Sequence, residues 1–134
     1  MSLDDLIAVS GLPGLYRIAA NRSNGLIVED LESGKRRFAP SRRHQFTPLA
    51  SIAIYTDDGE AVELAKVFGN MRDQLADNPL PGPNASNEEL YEYFADVLPN
   101  YDQERVYPGD IRKVIKWFKA LQAANLLTEE EEEE

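Results

Sequence analysis

Lys35, Arg36, Arg37, Arg42 and Arg43 put five positive charges into nine residues, with Phe38, His44 and Phe46 among them. No acidic residue occurs between Ser33 and Thr56. Lysine and arginine meet phosphates while exposed aromatics stack on bases, so this arm has locally what a single-stranded nucleic-acid surface requires. The competing reading puts Phe38 and Phe46 in the core and the arginines on a solvated edge, where charge discourages edge-to-edge pairing. That reading is favoured, because a chain of net charge −10 repels nucleic acid at long range. The single histidine, His44, has no Ser or Asp at a motif spacing that would make it a general base.

A second group is Tyr101-Asp102-Gln103-Glu104-Arg105-Val106-Tyr107. Two carboxylates beside a cation form a pattern that tunes pKa values for acid or base work. The plainer role is favoured: Arg105 pairs with a carboxylate while Tyr101 and Tyr107 wedge the terminal helices together. Tyr91, Tyr93 and Tyr101 also suit a peptide groove, since tyrosine gives contact area at low entropic cost. On the last helix Arg112, Lys113, Lys116 and Lys119 form a basic outer face of an ordinary solvated kind, and Trp117 is assigned to the core.

Composition removes several chemistries. With no Cys there is no disulfide, thiolate metal site or cysteine nucleophile, and one His excludes a multi-histidine metal centre. Neither a phosphate-binding glycine loop nor a metal-ligand spacing is present. No cofactor and no catalytic set is expected. No apolar run approaches the ~20 residues needed to span a bilayer, and Asp4 and Asp5 replace the basic start of a signal peptide. A cytoplasmic protein is expected, with no membrane partner. Residues 1–59 carry seven basic and seven acidic side chains, and residues 60–134 carry seven basic and seventeen acidic. Six of those seventeen are Glu129 to Glu134, a self-repelling run expected to be a disordered, solubilising tail.

The elements that must position these residues follow from period and punctuation. Leu3 to Val9 fits either a helical turn or an edge strand. From Gly14 to Pro40 three apolar runs are separated by Asn24-Gly25 and Ser33-Gly34, which predicts a β-meander with Leu26-Ile27-Val28 as its most buried strand. Pro40 and Pro48 bar residues 41–47 from a central strand, and Ser51 to Tyr55 reads as a further strand. Four or five short strands in so little chain predict a small SH3-like or Tudor-like β-barrel over residues 1–59. Leu64, Val67, Phe68, Met71 and Leu75 mark a connecting helix over 60–77. Three prolines make 78–85 a stiff linker. Ser86 and Glu89 form a capping box opening a helical hairpin over 86–126, whose second helix Asp110 caps. The acidic tail occupies 127–134.

Taken together, Ala8-Val9-Ser10-Gly11, Pro13-Gly14-Leu15-Tyr16, Gly25-Leu26-Ile27-Val28-Glu29, Ile52-Ala53-Ile54-Tyr55-Thr56 and Tyr93-Phe94 through Tyr107 resemble a small uncharacterised family. It is known mainly from Bacteroidetes and is classed as a domain of unknown function. The resemblance implies no activity, cofactor or catalytic residue. The family pattern has one Gly-Lys-Arg-Phe followed by an apolar strand, whereas here Gly34-Lys35-Arg36-Arg37-Phe38 runs into Ser41-Arg42-Arg43-His44. The expected function is a non-enzymatic binding module whose partner is another protein or a second copy, at the barrel edge and its junction with the helices. RNA held by the basic arm is the alternative.

Overall fold

A computed structural model describes residues 3–12 and 14–127. Strands β1 (Leu6–Val9), β2 (Tyr16–Arg22), β3 (Gly25–Asp30), β4 (Arg36–Pro40) and β5 (Phe46–Pro48) form an antiparallel sheet in the order β4-β3-β2-β1-β5. A 3-10 turn (Leu49–Ser51) leads into a hairpin of β6 (Ala53–Tyr55) and β7 (Ala61–Glu63). Helices α1 (Leu64–Gln74), α2 (Asn87–Val97) and α3 (Pro108–Ala123) complete an α+β architecture. The run Glu129 to Glu134, and with it nearly all of the tail expected to be disordered, lies outside the described residues.

The expected meander is β2–β3–β4, with Val28 fully buried at its centre. Gly25 begins β3 rather than sitting in the turn. Its need for glycine comes from β4, because a Cβ there would run into the Ala39 carbonyl oxygen. Gly34, at φ +75°, does occupy the left-handed conformation that the next turn demands.

The closed SH3-like or Tudor-like barrel is not what forms. Among the described residues β4 and β5 each pair on one side only, so the sheet stays open. The strand expected to help close it, Ser51 to Tyr55, instead pairs as β6 with the nearby β7. The tight turn between them explains the choice: Thr56 Oγ1 donates to Asp58 Oδ1 at 2.6 Å, and Thr56 N–H donates to the Glu60 carbonyl at 2.9 Å. A short loop closes at lower entropic cost than a long one. The lead-in is neither helical turn nor edge: β1 is a central strand between β2 and β5. Both prolines end edge strands, as their missing donors require.

Alternation along β1 joins two cores. Leu6 packs into the large core shared with the helices, while Ile7 and Val9 turn to a smaller cluster with Tyr16, Val28 and Ala39. The large core is built on Phe68, Phe94, Phe118, Leu90 and Met71.

Helices α1 and α3 depart from expectation at their starts, and α2 does not. Residues 61–63 belong to β7, so α1 begins at Leu64 rather than at residue 60. The Ser86–Glu89 capping box is present, with both reciprocal bonds made, at 2.7 and 3.1 Å. Helix α3 begins at Pro108, and Asp110 is its third residue, its carboxylate accepting from Tyr107 N–H at 3.0 Å. Its end is a Schellman motif: Asn125 at φ 59°, Leu126 N–H on the Leu121 carbonyl and Asn125 N–H on that of Gln122. The connecting helix and the two helices of the expected hairpin are all present among the described residues, and they pack as one unit. Asn70 and Gln74 of α1 donate to the Val97 and Asp96 carbonyls that end α2. Nor is 78–85 a free spacer. Leu80 packs on the core, Asn78 is bonded to α1, and Arg112 donates to the Ala85 carbonyl at 3.0 Å.

Candidate functional site

The basic arm does not converge. Arg36 and Arg37 are neighbours on a strand, so they point to opposite faces of the sheet. Arg36 lies opposite Glu29 and donates to it from Nε at 3.0 Å, an exposed pair. Arg37 lies on the face of Tyr16, whose hydroxyl pKa is raised by burial and by the Asp30 charge and partly offset by Arg37. Lys35 is held in the turn before β4, its N–H on Ser33 Oγ. Four strand steps of about 3.3 Å separate Arg36 from Pro40, and Arg42 and Arg43 lie beyond it in the following turn. His44 Nδ1 is 2.7 Å from the Ser10 carbonyl, which can only accept, and this contact ties that turn to the end of β1. Phe38 does not join the core. It is 41% exposed, on the same face as Arg36, while Phe46 is half-buried against the small cluster.

The segment from Tyr101 to Tyr107 is put to structural use. Asp57 N–H donates to the Asn100 carbonyl at 2.8 Å and Asp102 N–H to that of Tyr55 at 2.9 Å, so the chain here adds a third rung beside β6. Tyr101 is buried, stacked on Tyr91 at 6.4 Å and edge-on to Phe94 at 5.2 Å, and its pKa is raised by that burial and by Tyr91. Its ring contacts are with α2, one of the two terminal helices it was expected to wedge together. Tyr107 supplies no wedge, being 59% exposed. Asp102 Oδ1 accepts from Glu104 N–H, and its Oδ2 lies 3.6 Å from Arg105 Nε. Arg105 in turn covers the Tyr55 ring at 4.8 Å. The Asp102 carboxylate thus serves a turn, and neither it nor Glu104 lines the neighbouring cavity.

What the fold does bring together is a groove where the β structure meets α3. One cavity of about 260 Å³ lies between β6 and α3, lined by Ile52, Ala53, Tyr55, Arg105, Val106 and Trp117 among others. A second, of about 550 Å³, runs from the ends of β1 and β5 to the same helix, past Gly11, Gln45 and Thr47. The two share Ile52, Lys113 and Trp117, and Lys116 borders the second. Ile52, Val106, Val114 and Trp117 give an apolar floor. Arg105, Lys113 and Lys116 are exposed at its rim, with Asp110 the opposing charge. Sequence reasoning treated these lysines as an ordinary solvated face and Trp117 as core. The readable signal was the spacing itself, because residues 113, 116 and 117 lie three and four apart and share a helix face.

The comparisons follow the same division. A model of the family Domain of unknown function (DUF6852) matches residues 52–121, and one of Domain of unknown function (DUF5606) matches residues 3–49. A solution NMR structure of a protein from Bacteroides vulgatus is 38% identical, with a TM-score of 0.74 over 96% of this chain and 90% of that one. The chain belongs to this DUF6852 family. No curated protein matches it. The groove lies on the seam between the two matched segments: Gly11, Gln45 and Thr47 come from the DUF5606 part, and Ile52, Lys113 and Trp117 from the DUF6852 part.

Proposed function

We propose that this protein is a cytoplasmic, non-enzymatic binding module that takes a protein partner, another chain or a second copy, in the groove between its β structure and α3. The observation that carries the reading is the pair of cavities meeting at Ile52, Lys113 and Trp117, an apolar floor with a cationic rim. Interfaces draw their energy from aromatic and cationic anchors in such settings. The open sheet leaves β5 as an edge strand, and the groove borders the end of that edge.

A second reading has one observation in its favour. Phe38 is exposed on the face that also carries Arg36, a minimal platform for stacking a base beside a phosphate contact. Single-stranded RNA would then bind at the meander.

Paired substitutions separate the two. Lys113→Glu with Lys116→Glu should abolish recovery of the partner in pull-downs quantified by mass spectrometry, and Arg36→Glu with Arg42→Glu should leave it intact. If the partner is a second copy, light scattering gives a mass above 15.1 kDa that the groove pair brings back to it. Loss of binding with the arm pair alone, together with a steep fall in RNA affinity with salt, would overturn the groove reading in favour of RNA.

A further inference from the structure

The inner wall of the smaller cavity is an unfinished sheet edge. Leu64 N–H donates to the Ile52 carbonyl and Thr56 N–H to that of Glu60, so Ile52, Ile54 and Thr56 turn their backbone groups toward β7. By the alternation of an antiparallel ladder, Ala53 and Tyr55 turn theirs the other way. There the Tyr55 carbonyl receives Asp102 N–H, but the chain then leaves the edge, with Arg105 and Val106 N–H both folding back onto the Asp102 carbonyl. The N–H and C=O of Ala53 are left facing the cavity with no partner among the described residues, and Ala53 is exposed. The rung begun by Asn100 to Asp102 therefore stops one step short, and the space where it would continue is the groove.

We infer that an extended acidic segment of a partner protein completes this rung, hydrogen-bonding to Ala53 as an added strand beside β6. The inference rests on the groove reading above and names its occupant. Strand addition draws affinity from main-chain bonds and specificity from alternate side chains. With a period of two, every second side chain of the guest faces the floor of Ile52 and Trp117, and the others face the rim. The rim decides the charge. Lys113 and Lys116 stand free of any ion pair among the described residues, whereas the carboxylate of Asp110 is already bonded to Tyr107 N–H. Aliphatic residues alternating with glutamate or aspartate match both walls.

The test uses the full chain and a labelled hexapeptide alternating glutamate and valine, followed by fluorescence anisotropy and by amide spectra of the isotope-labelled protein. The peptide should bind, with shifts at the Ala53 and Tyr55 amides and the Trp117 indole, and the matching lysine–valine hexapeptide should not. Ala53→Pro removes the donor and should weaken binding at least tenfold. Its fold should survive, because β7 does not use that N–H and Ile52, at φ −92° and ψ 136°, already has the extended conformation required before proline. Lys113→Glu, on the exposed rim, should weaken binding by a similar factor without touching the core, and Lys113→Arg should restore it. Equal affinity for both peptides, shifts confined to β4, or full affinity in Ala53→Pro would overturn the inference. Partner capture that survives Ala53→Pro but not Lys113→Glu would keep the groove and remove strand addition. If the peptide binds only when Glu129 through Glu134 are replaced by glutamine, the chain's own acidic run is the occupant and the assignment to a partner protein falls.

Discussion

On β4 and the turns that flank it five basic residues in nine come apart, and on α3 two lysines and a tryptophan come together. The difference is one of period. Strand neighbours face opposite ways and advance about 3.3 Å each, so Arg36 finds Glu29, Arg37 the other face, and Arg42 and Arg43 the far turn. Helix residues three and four apart share a face within one turn, so Lys113, Lys116 and Trp117 border one groove. Density of charge along a sequence therefore marks a site only once the element that carries it is known.

The same two regions differ in how much core lies behind them, and this gives the largest expected effect. Phe118 of α3 has no exposure and meets Phe68 at 6.3 Å. Phe118→Ala should cost about 3–5 kcal/mol in urea unfolding, against roughly 2 kcal/mol for Val28→Ala in the five-residue cluster of the meander. Both variants should unfold in one transition, since Leu6 and Leu15 of the sheet region belong to the large core. Two separate transitions would show that the sheet and helices are independent units and break the comparison.

Next in size is an alkaline effect on the helical side. Tyr93 is buried, its hydroxyl has no partner among the described residues, and its pKa is pushed up to about 12 from 10.0 by burial. A raised value means the fold holds the neutral form, so stability is whole below pH 10 and falls as pH rises toward 12, by about 2–3 kcal/mol. Tyr93→Phe should remove that fall and raise the denaturation midpoint at neutral pH, because an unpaired buried hydroxyl is deleted. An unchanged alkaline limb would assign the loss to other groups.

The smallest effect belongs to the arm. The Arg36–Glu29 pair is exposed, so Arg36→Ala should change stability by less than about 1 kcal/mol, and the change should vanish in high salt. A larger, salt-independent loss would mean that Arg36 packs through its stem on the sheet and not merely across the pair.

The meander, the capping box at Ser86 and the inward stripe of α3 were legible in the sequence because each is a local pattern: turn dipeptides between apolar runs, a serine three residues before a glutamate, apolar residues at helical spacing. The choice of partners was not local. Leu3 to Val9 has no signal that separates a central strand from an edge, since that depends on β5 arriving from 40 residues on. The loss of the barrel follows from Ala53–Tyr55 finding β7, a three-residue strand hidden at the head of what reads as a helix.

The sequence by itself determined that this is an α+β chain of short strands followed by amphipathic helices, without thiols or a histidine cluster, and that its positive charge gathers at residues 35–43 and along α3. Only the tertiary structure decided which of those charges share a surface. It did so because pairing β6 with β7 leaves the other side of β6 to Asn100–Asp102 and, where that segment turns away, leaves Ala53 open beneath Trp117 and Lys113. A sheet edge is made by the strand that fails to arrive, and no residue in the sequence records that.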